Sequence, residues 1–427
     1  MAVRNMILSH YTMPGKTDRA RALESLSHMR KRILIHGDDS DSDGIDEAMK
    51  ENIELTVAIQ SRRYFERPIE YRNKGVDAND AFQEWINDRR IVVYTHMSRR
   101  SLDYVYQMIR ESPVFVNPSV LSPSRQRSIY FQLFVCLSSL TGDGDGACID
   151  RLNELFNIGH GTISIYNERC IAAINEHVDA FVCWPNAARR AELATYGDVK
   201  YGFPGFIASC DGTMIGLRRA PAFNMFPETY CHPRHKGYGF NVLFWVDHHG
   251  TIIRFTCNWP ASASDQTIFN ASLFATNPWL FLKQHEEYIF VDLGFKKETF
   301  AVPPYKGQEG KLKHNAQFNV AQRKGRVKVE HANGVIKARF GSLRHLPIEI
   351  REASDHDRCA AWITTCVILH NLLISIRDEW EPDAIPAVVE EEDDDLPEPA
   401  AQDVSAKMFC NAVRDRWLEQ HGGWERR

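Results

Sequence analysis

Three carboxylates stand in settings that suit metal-dependent chemistry on phosphodiesters. Asp211 lies in SCDGT, Asp292 in FVDLG and Glu330 in RVKVEHANG. Each aspartate follows a run of strand-forming residues and precedes Gly directly or by one residue, so each is expected where a strand ends and the chain turns. Residues 327–343 read as a helix, and on it Glu330 stands among Lys328, Lys337 and Arg339. Mg2+ prefers oxygen ligands in octahedral array and keeps positions for water and substrate phosphate. Two such ions roughly 3.5–4 Å apart can activate an attacking oxygen and stabilise the leaving one. Carboxylates from two strand ends and one helix meet the minimum that such a site requires. Taken alone, Glu330 reads equally well as a surface ion pair with Arg326 or Lys337.

The charge distribution points the same way. The chain of 427 residues has a formal net charge of −5, yet residues 293–351 hold thirteen Lys or Arg against four Glu and no Asp. Such a basic segment inside an acidic chain suits a polyanionic partner, the alternative being a solvated basic face. A composition of 44% hydrophobic and 25% charged residues is that of an ordinary globular chain. No uninterrupted apolar run approaches the roughly 20 residues of a membrane span, and the first residues lack the order of a signal peptide. The ten cysteines are scattered without C-x-x-C pairs, which favours reduced thiols over a disulfide framework.

The elements that must position these carboxylates are legible in outline. Residues 1–119 read as a lead-in with helices near 81–90 and 101–110, and its acidic stretch GDDSDSDGIDE (37–47) resembles a linker. From Ser124 to His177, helical spacing recurs through Ile129–Leu140, Ile149–Phe156 and Ile163–Ile174. The turn NIGHG joins the last two, so residues 120–180 form a helix-turn-helix-like unit or a plain three-helix packing unit. After Tyr201 the text turns strand-like in FIASCDG, MIGLRR, YGFNVLFWVD and TIIRFTCNW, with a hairpin expected at DHHG, where Asp247 reads as a turn residue. A helix from near Asp265, a strand in EEYIFVDLGF, a loop over 301–314 and the basic helix follow, then a helix over 361–376. The order predicts an α/β domain over 200–376, a mixed sheet flanked by helices. The acidic segment 377–404 reads as disordered, and a short helix as occupying 405–420.

Other candidates are weaker. Cys231, His232 and His235 with His248 and His249 lack two separated pairs of zinc ligands. Asp265 in ASASDQ reads first as the N-cap of the helix that follows, with assistance to metals or DNA as its other reading. Gly334 in a helix interior asks for a packing reason, and with Ala332 it is expected to let the helix approach the sheet.

Taken in order, CDGT (210–213), HKGYGFNV (235–242), NWPASASDQ (258–266), VDLGF (291–295) and RVKVEHANGVIKARF (326–340) resemble the catalytic domain of PIF/Harbinger transposases. That group of the DDE superfamily includes domesticated, transposase-derived nucleases. The resemblance spans about residues 120–375. It implies a ribonuclease H-like α/β core preceded by an all-α helix-turn-helix-like unit. It implies that Asp211, Asp292 and Glu330, spaced by 81 and 38 residues, are a catalytic, metal-binding triad for two Mg2+ ions, with Mn2+ able to substitute. Arg323, Arg326, Lys337 and Arg339 would then hold DNA phosphates. The implied activity is endonuclease and strand transfer on double-stranded DNA in the nucleus, with a Myb/SANT-like DNA-binding partner, room for a homodimer and no membrane. A domesticated DNA-binding or scaffold protein is the alternative, and an enzyme acting on RNA a third. Two positions depart from the family pattern: Met214 stands where many members have His, and Asn333 replaces a customary aromatic.

Overall fold

A computed structural model describes residues 18–36, 42–61, 78–116, 126–143, 147–156, 158–234, 236–378, 380 and 403–421. They divide into two units, Met1–Gly75 and Val76–Arg427. The first holds helices α1 (Asp18–His36) and α2 (Ser42–Ser61). Arg30 ties them, its guanidinium donating to Asn52 Oδ1 and Thr56 Oγ1, each at 3.1 Å. The acidic stretch expected as a linker is thus partly helical: from Ser42 onward it forms the start of α2. Residues 37–41, and nearly all of the expected disordered segment at 377–404, lie outside the described residues.

In the second unit, α3 (Ala78–Trp85) and α4 (Asp88–Thr95) replace the single helix expected over 81–90. The break is Asn87, whose side chain accepts from Arg90 N at 2.9 Å and starts a new helix. Then come α5 (Arg99–Ile109), α6 (Ile129–Thr141), α7 (Ala147–Phe156) and α8 (His160–Asn175). Every residue of α6 from Phe131 to Thr141 is buried, so it is a central helix packed on all sides. The three-helix unit is no separate body. Its Cys170, Ile171 and Ile174 share one continuous core with Ile336, Trp362 and Ile363 of the catalytic half. Asn175 seals the joint, donating to Ala361 O at 3.0 Å and accepting from Thr365 Oγ1 at 2.9 Å.

Helix α9 (Ala187–Tyr201), capped by Asn186 and ended by Gly202 at φ +75°, leads into the sheet. Strands β1 (Phe206–Gly216), β2 (Gly239–Asp247) and β3 (Ile252–Pro260) are antiparallel neighbours. The β2–β3 turn is set by Asp247 Oδ1, which accepts from His249 N at 2.8 Å and Thr251 N at 3.0 Å, with Gly250 at φ +88°. After α10 (Asp265–Ala271), strand β4 (Tyr288–Val291) returns parallel to β1, and a short β5 (Ala301–Val302) extends the sheet within what the sequence presented as a loop. The strand order is β3-β2-β1-β4-β5. This mixed five-stranded sheet flanked by helices is the ribonuclease H-like arrangement expected.

Helices α11 (Lys313–Arg339), α12 (Ala353–Ser375) and α13 (Val404–Gln420) complete the chain. Val329, Ala332 and Ile336 of α11 and most of α12 pack with Phe240, Val242 and Phe244, while Leu193 of α9 and Ile268 and Phe269 of α10 pack with Cys210, Leu243, Trp245 and Val291. Side chains alternate across a strand, so these sets cover opposite faces of the sheet. Each fully buried large apolar side chain contributes on the order of 2 kcal/mol, which fixes the layers firmly. Among the described residues α12 alone has the length and apolar composition of a membrane span, and 67% of that window is buried within the fold.

Candidate metal centre

Two local devices bring α11 to the sheet at the right height. Gly325 faces the rings of Phe206 and Phe290, where an added Cβ would lie 3.0–3.1 Å from ring carbons. A close approach of helix to sheet is thus made at Gly325, and Ala332, two turns further on, is buried in the main core as expected. Gln322 then hydrogen-bonds the strand ends, donating to Val291 O at 2.9 Å and Val302 O at 3.2 Å. One turn further along α11, Arg326 therefore arrives beside Asp292, the residue that follows β4.

Asp211 does not end its strand: β1 runs on to Gly216, paired with β2 throughout. It lies at an opening for another reason, since the parallel pairing with β4 stops at Cys210 and Val291. The Arg326 guanidinium lies among the carboxylates at this opening. Its Nη1 is 2.6 Å from Asp292 Oδ1, and its Nη2 is 3.3 Å from Glu330 Oε1 and 3.8 Å from Asp211 Oδ1. The three sequence-predicted acids thus converge on one cation from a mid-strand position, a strand end and a helix. Asp292 is the most open, its side chain 45% exposed against 17% for Asp211 and 14% for Glu330.

A fourth carboxylate joins them. Ser264, not Asp265, caps α10, accepting from Thr267 N at 3.2 Å. Asp265 instead turns inward, accepts from Asn241 Nδ2 at 2.6 Å and occupies the space over Gly212. Burial pushes its carboxyl above the usual range, Asn241 and Arg234 pull it down, and the Asp292 charge pushes it up. For Asp211, burial is again the largest cause, opposed by Arg326 and reinforced by Asp292, Asp265 and Glu330, and it is pushed up to about 7. Arg326 at the centre, with Arg234 and Lys337 toward the edges, faces four carboxylates, which leaves negative charge for a further cation.

Asn333 is the other residue the sequence did not assign to the site. One turn beyond Glu330, its amide donates to Asp211 Oδ2 at 3.1 Å, while its own buried Oδ1 accepts no hydrogen bond. A departure from the family pattern thus lands on the first carboxylate. The ASASDQ motif and the placement of Asn333 three residues after Glu330 were the available signals. Neither gave the direction of the side chain.

The basic residues separate. Lys337 lies along the same face of β1, its Nζ 2.6 Å from Thr213 Oγ1, and burial lowers it to about 8 against the pull of Asp211. Arg323 is exposed on α11. Arg339 does not face this site, and the expectation of a phosphate contact is corrected. It is buried, donates to His96 O, Asp378 Oδ1 and Trp380 O at 2.8–3.0 Å, and lies 4.6 Å over the Trp380 ring. Its charge is consumed in tying α11 to the segment after α12.

A family described as DDE superfamily endonuclease matches residues 210–371, from the residue before Asp211 to Asn371 in α12. Residues 210–371 belong to the DDE superfamily endonucleases. The motif resemblance therefore holds, and the chain carries a transposase-related nuclease domain. "Protein ALP1-like" of Arabidopsis thaliana is 21% identical over 297 residues, covering 66% of this chain and 70% of that protein. No solved structure matches the chain.

DDE endonucleases work with divalent metal ions. Among the described residues no three His, Cys, Asp or Glu side chains already form a finished ligand set, and in this DDE endonuclease region Arg326 lies where the carboxylates meet. The donors nevertheless fit a hard dication. They are all oxygen, they carry excess negative charge, and the orphaned Asn333 Oδ1 adds a neutral oxygen beside Asp211.

Proposed function

We propose that this chain is a Mg2+-dependent DNA endonuclease and strand-transferase of the PIF/Harbinger type, cutting the ends of a mobile element. The observation that carries this reading is the gathering of Asp211, Asp292 and Glu330, from three separate elements, within 4 Å of one guanidinium. Asp211, Asp292 and Glu330 would hold two ions, Mg2+ or Mn2+ in its place, which when bound supply an activated water or 3′-hydroxyl and charge stabilisation at the leaving oxygen. Asn333 orients Asp211, and Asn241 orients Asp265. Arg326 neutralises the acids, and with metal held by them its guanidinium would be available to the substrate phosphate. Lys337, whose amine burial lowers to about 8, offers a proton or a phosphate contact on the Thr213 side.

Double-stranded DNA is the partner that this basic helix and acidic centre fit together, which makes the nucleus the place of action. A Myb/SANT-like protein would assist end recognition, because α8 spends much of its surface on the core. A homodimer would suit an enzyme acting on two element ends.

The decisive experiment is nicking of supercoiled plasmid with Mg2+. Wild type should nick, EDTA should stop it, and Asp292→Asn should abolish cleavage while retaining DNA affinity. Undiminished cleavage by that variant removes the metal assignment. Wild type that binds DNA but never nicks indicates the domesticated, non-cutting reading, and preferential cutting of an RNA duplex overturns the substrate.

A further inference from the structure

We propose that the loop between β1 and β2 is a DNA wedge, in which Phe223 and Phe226 stack on bases beside the cleaved phosphate. The inference rests on the DNA-cleaving reading above. Phe223 is 93% exposed and Phe226 66% exposed. Large aromatic side chains presented this openly forgo burial that the fold would otherwise reward, and a cluster of them marks a binding surface.

The loop is not a loose one. Ala222 N donates to Ile350 O at 2.8 Å, Asn224 Nδ2 to Arg351 O at 3.3 Å, and Ser262 N to Thr229 O at 3.2 Å. Met225 packs on the main core, and buried Tyr230 places its hydroxyl 2.9 Å from His356 Nδ1. Inward anchors therefore flank the outward rings. Phe226 adopts φ +51°, a left-handed backbone that a bulky residue rarely takes, and its ring stands exposed. An anchored loop loses little further freedom on binding, so its rings are ready to stack.

Position and charge select the occupant. The returning arm of the loop carries Arg234, and Thr229 O on the same arm accepts from Ser262 N at 3.2 Å, three residues before Asp265 of the metal centre. Residues 217–238 hold four Lys or Arg against one Glu. Exposed aromatic rings among cations suit a polyphosphate that also offers π faces, and apolar wedges between base steps are a recurrent device for unstacking a duplex. Opening the helix next to the scissile phosphate would free the strand that must enter the carboxylate cluster.

The test uses the full chain without added divalent metal, so that no strand is cut, and short duplexes carrying 2-aminopurine at successive positions. Wild type should raise the fluorescence at unstacked positions. Phe223→Ala/Phe226→Ala should abolish the rise and weaken binding about tenfold or more, and Phe223→Trp should retain both. The melting temperature of the double variant should match wild type, since both rings are exposed. A double variant that binds and unstacks as wild type does overturns the wedge alone, as does one that loses only self-association. Wild type that binds no duplex overturns the proposed function together with it.

Discussion

Gly212 has no side chain where Asp265 places its carboxylate: a Cβ there would lie 2.3 Å from the Asp265 carboxyl carbon. The glycine of the CDGT motif is therefore a seat for a residue 53 positions later. Gly212→Ala should displace the Asp265 carboxylate and break its 2.6 Å bond from Asn241. Divalent-cation affinity, measured by calorimetry, should fall about tenfold, a change of about 1.4 kcal/mol. Asp265→Asn should do the same, and the double variant should lose little more than either single one, because residues sharing one contact are not additive. Fully additive losses would show that Gly212 acts elsewhere.

The competition between Arg326 and a dication is directly measurable. Removing one partner of a buried charge pair costs roughly 3–5 kcal/mol because it leaves the others uncompensated. Arg326→Gln should accordingly melt well below wild type in EDTA. Added Mg2+ should then restore more stability to the variant than to wild type, since ligand binding to the folded state stabilises by mass action and the variant has no resident cation to displace. Equal stabilisation of both proteins would mean that the guanidinium and the metal do not share the carboxylates.

These two relationships show what the sequence could and could not reveal. The acids themselves were legible because strand-forming runs broken by Gly, and a basic helix with one Glu, are local patterns. The mixed sheet flanked by helices followed from the order of elements. Side-chain direction was not legible. Asp265 looked like a cap because Ser264, one residue earlier, does the capping, and a one-residue shift turns an N-cap into an inward ligand. Arg339 looked like a phosphate contact on the same helix as Glu330, yet nine residues of helix turn it to the opposite side, where Asp378 lies 39 residues away in sequence. Strand β5 has two residues and no periodicity to read. The shared core of α8 and α12 depends on contacts nearly two hundred residues apart, which no local window contains.

The raised Asp211 gives the metal-free protein a defined pH response. Its ordinary value is 3.8 and the fold pushes it to about 7, chiefly by burial. The folded state therefore holds a proton that the unfolded chain releases. The resulting stability is fully present below the ordinary value and is lost as pH rises through the folded one. In EDTA the melting temperature of wild type relative to Asp211→Asn, which is neutral throughout, should decline from roughly pH 5 to pH 8. Buried His248 and His370, held low by burial, tilt both profiles the other way, so the difference carries the signal. Cation affinity should run the other way, rising with pH, because the carboxylate must ionise to bind. A difference between the two proteins that is flat or rises over this range would contradict the raised value.

Arg339 and Arg323, both counted among phosphate contacts from sequence, should separate cleanly in one pair of measurements. Arg339 is buried on Asp378, whose side chain is fully enclosed and also accepts from Ser98 N at 3.0 Å and Ser101 Oγ at 2.5 Å. Arg339→Ala leaves that carboxylate without its cation, so unfolding stability should fall by roughly 3–5 kcal/mol. DNA affinity of the folded fraction should keep its dependence on salt. Arg323 is exposed on the basic face of α11, and Arg323→Ala should leave stability nearly unchanged while reducing the slope of log K against log salt by about 1. The same helix would then be shown to use one arginine to hold the fold and another to meet the phosphate backbone. A salt slope altered by Arg339→Ala in well-folded protein would return that residue to the DNA interface.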